Sequence, residues 1–161
     1  MLDRIAPNAK PIDAYWIVWT CALRPGSTTE PAQTVRLAEK VAADALPGFD
    51  SITALGASLY RARRFKEAAG RLREAVAAHQ SGKTVHRQPI AYTWFFLAMA
   101  EHRLGRSEEA RKCLDLAADS VAKRGGKEGL DELGEETIPW NRRLTLQILR
   151  REAEAVLKEP R

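Results

Sequence analysis

The stretch Ile52–Ala75, ITALGASLYRARRFKEAAGRLREA, decides the fold. Leu55, Gly56 and Leu59 precede Ala62-Arg63-Arg64, and Ala68, Leu72, Ala75 and Val76 follow it. Spacings of three and four put apolar residues on one stripe of a helix, so the stretch reads as two helices joined by a tight turn. Gly56 and Ala68 are small and stand 12 residues apart, one in each helix. Small residues between antiparallel helices let the axes approach, because the separation depends on the side chains at the contact. The spacing therefore predicts that Gly56 faces Ala68, with Leu55, Leu59 and Leu72 filling the core around them. If the turn residue Arg63 is left-handed, its side chain costs about 1 kcal/mol there.

The pattern returns at Trp94, Leu97, Ala98, Ala110, Leu114 and Ala117, with Ala98 and Ala110 again 12 apart. Leu104-Gly105-Arg106 then makes the turn that Ala62-Arg63-Arg64 makes in the first copy. A weaker copy lies upstream, where LAEKVAAD (Leu37–Asp44) overlays LREAVAAH (Leu72–His79). Gln33 stands there where Ala68 stands in the middle copy.

These positions resemble the tetratricopeptide repeat (TPR), a helix-turn-helix unit that stacks into a solenoid. The resemblance rests on Ile52, Leu55, Gly56, Leu59, Ala68, Leu72 and Ala75 in the middle copy. In the last copy it rests on Trp94, Leu97, Ala98, Ala110, Leu114 and Ala117. The period is 42 residues against the family's 34, so about eight residues are inserted between copies. Glu101 stands where the family usually has an aromatic or apolar residue. The resemblance implies an all-α, right-handed α-solenoid of about three TPR-like repeats, near residues 12–47, 50–80 and 89–124, within a block spanning 12–136. Residues 137–161 then form a capping helix and tail, since a solenoid end needs a polar outer face.

Outward from the repeats, Met1–Pro11 reads as an extended leader or linker. Asp13–Ala22 is aromatic-rich, and Trp16 and Trp19, three apart, are expected to share a face. Pro31 suits the first turn of a helix. Asp50 or Ser51 is expected to cap the helix that carries Gly56, and Ser107 the helix that carries Ala110. Gln80–Gln88 reads as the insertion and Gly125–Glu136 as a loop. Thr137–Leu157 reads as the last helix, with Trp140, Leu144, Ile148 and Leu149 on one side. This order after the last repeat is similar to TPR blocks attached to large bacterial signalling proteins.

Composition bounds the function. A chain of 161 residues buries about 70% of its unfolded surface and folds without metal or disulfide. Cys21 and Cys113 form no short-spaced pair, which suits a reducing, cytoplasmic setting. The longest apolar runs are too short to span a bilayer. The net charge of +5, from 26 basic and 21 acidic residues, permits an acidic partner without demanding one.

No catalytic constellation emerges, and no cofactor or metal is expected. Gly82-Lys83-Thr84 lacks the first glycine and the preceding strand of a P-loop. His79, His86 and His102 have no helical i, i+4 partner and no nearby cysteine, so they do not form a zinc set. The carboxylate pairs read as solvated charge.

The resemblance places partner binding on the first helix of each repeat, which lines the concave groove. On that basis the groove residues are Tyr60, Arg61, Tyr92, Phe95, Met99, His102 and Arg103. Aromatics beside arginines suit a peptide with apolar and acidic residues. Thr53, Ala57, Phe95 and Met99 stand where the family's carboxylate clamp carries lysine and asparagine, which argues against such a clamp. The expectation is a non-enzymatic scaffold that binds a protein or peptide. Two alternatives are weighed. A nucleic-acid or anionic surface could meet the basic turn edge of Arg61, Arg63, Arg64, Lys66, Arg103, Arg106, Arg111 and Lys112, although interleaved glutamates favour a salt-bridged edge there. Self-association could use Trp16 and Trp19.

Overall fold

A computed structural model describes residues 10–27, 29–45, 48–82, 88–127 and 139–160. These residues are all-α. Seven helices follow in order: α1 (Pro11–Leu23), α2 (Pro31–Lys40), α3 (Phe49–Arg61), α4 (Phe65–Gln80), α5 (Ile90–Arg103), α6 (Ser107–Lys127) and α7 (Trp140–Val156). A π-helical turn, Val41–Ala45, continues α2. The chain divides into two compact units, Met1–Gln88 and Pro89–Arg161.

In the first unit α3 is the central helix, packed against α1, α2 and α4. Its burial is nearly all-round: Thr53, Ala54, Leu55, Ala57, Ser58 and Leu59 are all inside. The buried Ser58 hydroxyl donates to the Ala54 carbonyl at 2.9 Å, which satisfies it within its own helix. The α3/α4 hairpin carries ring contacts at both ends. Tyr60 meets Phe65 at 5.6 Å beside the turn, and Phe49 meets His79 edge-on at 5.0 Å at the open end. His79 is thus a packing residue.

The close approach in this hairpin differs from the expected pair. A Cβ on Gly56 would lie 2.6 Å from Leu72 Cγ and 2.7 Å from Cδ2. Gly56 faces Leu72, one helical turn beyond Ala68. The large side chain fills the space that the missing one leaves.

The two turns are built alike. Arg63 N–H donates to the Tyr60 carbonyl and Arg64 N–H to that of Leu59; Gly105 N–H donates to His102 and Arg106 N–H to Glu101. This pair of bonds closes a helix through a left-handed residue. Arg63 has φ 62° and Gly105 φ 79°. In both copies the next helix begins with a bond from an alanine, Ala68 N–H to Arg64 or Ala110 N–H to Arg106.

In the second unit α5 packs against α6 and α7. The Tyr92 hydroxyl, near the start of α5, donates to the carbonyl of Arg142, near the start of α7, at 3.3 Å. Arg103, which ends α5, pairs at 2.8 Å with Glu159, just past the end of α7. The two helices therefore run parallel, tied at both ends.

Several boundaries shift. Pro11, assigned to the leader, opens α1, and Met1–Ala9 lie outside the described residues. Neither Asp50 nor Ser51 is a cap. Gly48 holds that position, the Asp50 carboxylate accepts from Gln88 N–H at 3.1 Å, and the Ser51 hydroxyl donates to the Gly48 carbonyl. The expected loop at Gly125–Glu136 is helical through Lys127, and its remainder lies outside the described residues, as do residues 83–87 of the insertion.

Candidate interaction surfaces

Of the seven expected groove residues, five lie inside the fold: Tyr60, Tyr92, Phe95, Met99 and His102. Tyr92, Met99 and Arg103 share a stripe of α5 at i, i+7 and i+11. The outer two of these carry the ties to α7, so Met99 lies between the ties and is fully buried. Arg61 is half-buried; its Nε donates to the Ala22 carbonyl at 2.6 Å and its guanidinium sits 5.5 Å from the Tyr60 ring centre. Arg103 is exposed and ion-paired. As placed here, the five buried side chains hold elements together and present no surface to a ligand.

The basic edge is laced with carboxylates. Arg64 pairs with Glu67 at 2.5 Å, Lys112 with Glu109 at 2.9 Å, and Arg106 with Glu101 at 3.2 Å. The hydrogen bond from Arg64 holds the Glu67 carboxyl below its ordinary value, and Glu67 in turn raises Arg64. Glu109 likewise raises Lys112. Glu101 is 1% exposed, so its partner Arg106 balances a buried charge at the position the family usually makes apolar.

In the first unit a depression of roughly 360 Å³ is lined by Leu55 and Leu59 together with Glu39, Glu67, Arg71 and Glu74. Glu67 and Glu74 are each paired with an arginine one turn away. Trp19 is buried while Trp16 is 46% exposed, so the two do not form a joint anchor.

Among the described residues, three of the five exposed large apolar side chains lie on the last helix. Leu146, Leu149, Ala153 and Val156 are buried. Trp140, Leu144 and Ile148 are 72%, 48% and 40% exposed. Spacings of four and eight align these three as one ridge on the far side of the helix from its buried face. The sequence reading grouped Leu149 with them; the structure separates it. The signal was present in Leu146, Leu149, Ala153 and Val156, which form a second apolar stripe at spacings of three and four. A helix with two apolar stripes has more than one neighbour can cover.

Burial raises the Cys21 thiol above its ordinary value. Cys113 is buried. Among the described residues no group of three His, Cys, Asp or Glu converges as a metal site, and no described helix is long and apolar enough to cross a membrane. No family model, no curated protein and no solved structure matches this chain.

Proposed function

We propose that this chain is a non-catalytic protein-interaction module, a TPR-like scaffold that binds another helical segment through the outer face of its last helix. The single observation that carries the reading is the ridge of Trp140, Leu144 and Ile148, three large apolar side chains left to solvent on a helix already docked by its other face. Soluble chains rarely leave such residues contiguous without a use. Large apolar side chains at i, i+4 and i+8 lie within one helix stripe, and an apolar helix face is what seats against another helix.

The repeat reading has its own support. The two hairpins close with the same pair of backbone bonds at the same offset. The parallel run of α7 along α5 is the placement of a first helix in a following repeat. On this reading α7 takes the next position in a right-handed stack and covers the groove side of α5. Two free cysteines suit the cytoplasm, and attachment to a larger bacterial signalling chain fits a module of this kind. The paired charges of the basic edge favour a protein over a nucleic acid as the partner.

The test is capture on immobilised protein from a bacterial lysate. It compares wild type with Ile148→Glu on the ridge and with Arg61→Glu/Arg103→Glu at the two expected groove residues that are not buried. Loss of a captured protein with Ile148→Glu alone supports the ridge. Loss with the arginine pair alone returns the site to the groove, and equal recovery from all three, in a chain that also does not self-associate, overturns the reading.

A further inference from the structure

We infer that the ridge on α7 is self-complementary and that its occupant is a second copy of this chain, docked antiparallel along the same helix. The inference rests on the proposed use of the ridge for helix binding and names the partner. The outer stripe of α7 does not end at Ile148. Arg151 and Ala155 continue it, both exposed and at i+11 and i+15 from Trp140. The stripe is therefore bulky at its start and small at its end, over a length of about 22 Å.

A two-fold axis between Gln147 and Ile148 reverses the stripe onto itself. Trp140 then lies opposite Ala155 of the second copy, the largest residue against the smallest. Leu144 lies against the aliphatic stem of Arg151 of the second copy, and the two Ile148 side chains pack beside the axis. Large-against-small pairing is what lets helix faces interdigitate. Arg151 can lay its stem on apolar surface and keep its guanidinium in water.

Charge obeys the same symmetry. Arg143 and Glu154 stand three turns apart on one flank of the stripe, and both reach solvent. In an antiparallel two-fold pair each flank meets itself, so Arg143 of one copy faces Glu154 of the other, twice over. Glu154 already holds Arg150 at 2.7 Å within its own helix, which would place two cations around each carboxylate. Charge beside the stripe is mixed, with Arg143 and Arg150 as well as Glu152 and Glu154 next to it. It is the opposed Arg143 and Glu154 that an antiparallel second copy satisfies and a uniformly anionic membrane does not. One helix of this length buries an area at the low end of protein interfaces, so the dimer is concentration-dependent.

Sedimentation velocity on the intact chain over a wide concentration range tests this, with anionic phosphatidylserine vesicles as a second arm. Wild type is expected to shift from monomer to dimer with concentration. Ile148→Glu is expected to stay monomeric and, at concentrations where wild type is also monomeric, to melt at the same temperature, because its site is exposed. Arg143→Glu and Glu154→Arg are each expected to weaken the dimer about tenfold, and the double exchange to restore it. A wild type that is monomeric throughout, a dimer that survives Ile148→Glu, or single charge variants that the double exchange does not rescue would each overturn the inference. Vesicle binding lost with Ile148→Glu, in a chain that does not dimerise, would assign the ridge to a lipid surface instead. A monomeric wild type whose captured protein is lost with Ile148→Glu would sink self-association alone and leave the proposed function standing.

Discussion

Arg63 and Gly105 occupy the same left-handed position, 42 residues apart, in turns with the same backbone bonds. Only one of the two is the residue that the conformation favours. Arg63→Gly is expected to leave stability unchanged or raise it by up to about 1 kcal/mol. Gly105→Ala is expected to lower it by about 1 kcal/mol. Urea denaturation of the two variants measures both signs, and a loss with Arg63→Gly would mean that its side chain contributes more than its backbone costs.

Gly56 and Gly70 make a matched pair on the two helices of one hairpin. A Cβ at Gly56 would enter the fully buried Leu72 side chain, while one at Gly70 meets nothing within 4 Å. Gly56→Ala is expected to destabilise by roughly 1–3 kcal/mol. Gly70→Ala is expected to stabilise by about 0.5–1 kcal/mol, since it replaces a glycine in a helix interior. Equal melting temperatures for the two would contradict the helix approach described.

Neighbouring residues on α7 face opposite ways. Leu149 is fully buried and Ile148 is 40% exposed. Leu149→Ala is expected to cost roughly 2–5 kcal/mol, and Ile148→Ala in the monomer well under that. The reverse order in denaturation would show α7 rotated about its axis.

Arg106 balances the buried Glu101 at 3.2 Å. Arg106→Ala leaves that carboxylate short of its charged partner and is expected to destabilise by roughly 1–3 kcal/mol. Adding Glu101→Leu should recover part of the loss, because an apolar residue of similar volume can replace a buried charge at little cost. If the double variant is worse than Arg106→Ala alone, the carboxylate holds the turn through more than this pair.

The Arg64–Glu67 pair sets a pH dependence whose sign is determined. The folded state holds Glu67 below its ordinary value near 4.5. Its contribution is present above that value and fades as pH falls through the lowered one. Wild type should therefore hold an advantage over Glu67→Gln at neutral pH that shrinks on acidification and, for an exposed pair, also with added salt. An advantage that grows in acid would reverse the assignment.

What the residues alone revealed and what they hid divide along a physical line. Helix periodicity, small residues at hairpin contacts and turn chemistry are local, so the hairpins at Ile52–Ala75 and Trp94–Ala117 and the equivalence of Arg63 and Gly105 in their turns were legible, while the left-handed backbone they share came from the fold. Which residue faces Gly56 was not, because two small positions at matching spacing do not set the stagger between helices; Leu72 took the place expected of Ala68.

The exposed site was the least legible part. Tyr92, Phe95 and Met99 read as groove residues because a first helix in a stack has one side to spare. Whether that side stays open depends on the next helix, and α7 runs parallel to α5 with ties at Tyr92 and Arg103. In α7 itself two apolar stripes were written in the sequence. Only docking chose between them, seating Leu149 inward and leaving Trp140, Leu144 and Ile148 to water. Periodicity determines that a helix has an apolar face. Which face meets the core is a property of the neighbours it packs against, and those exist only once the chain has folded.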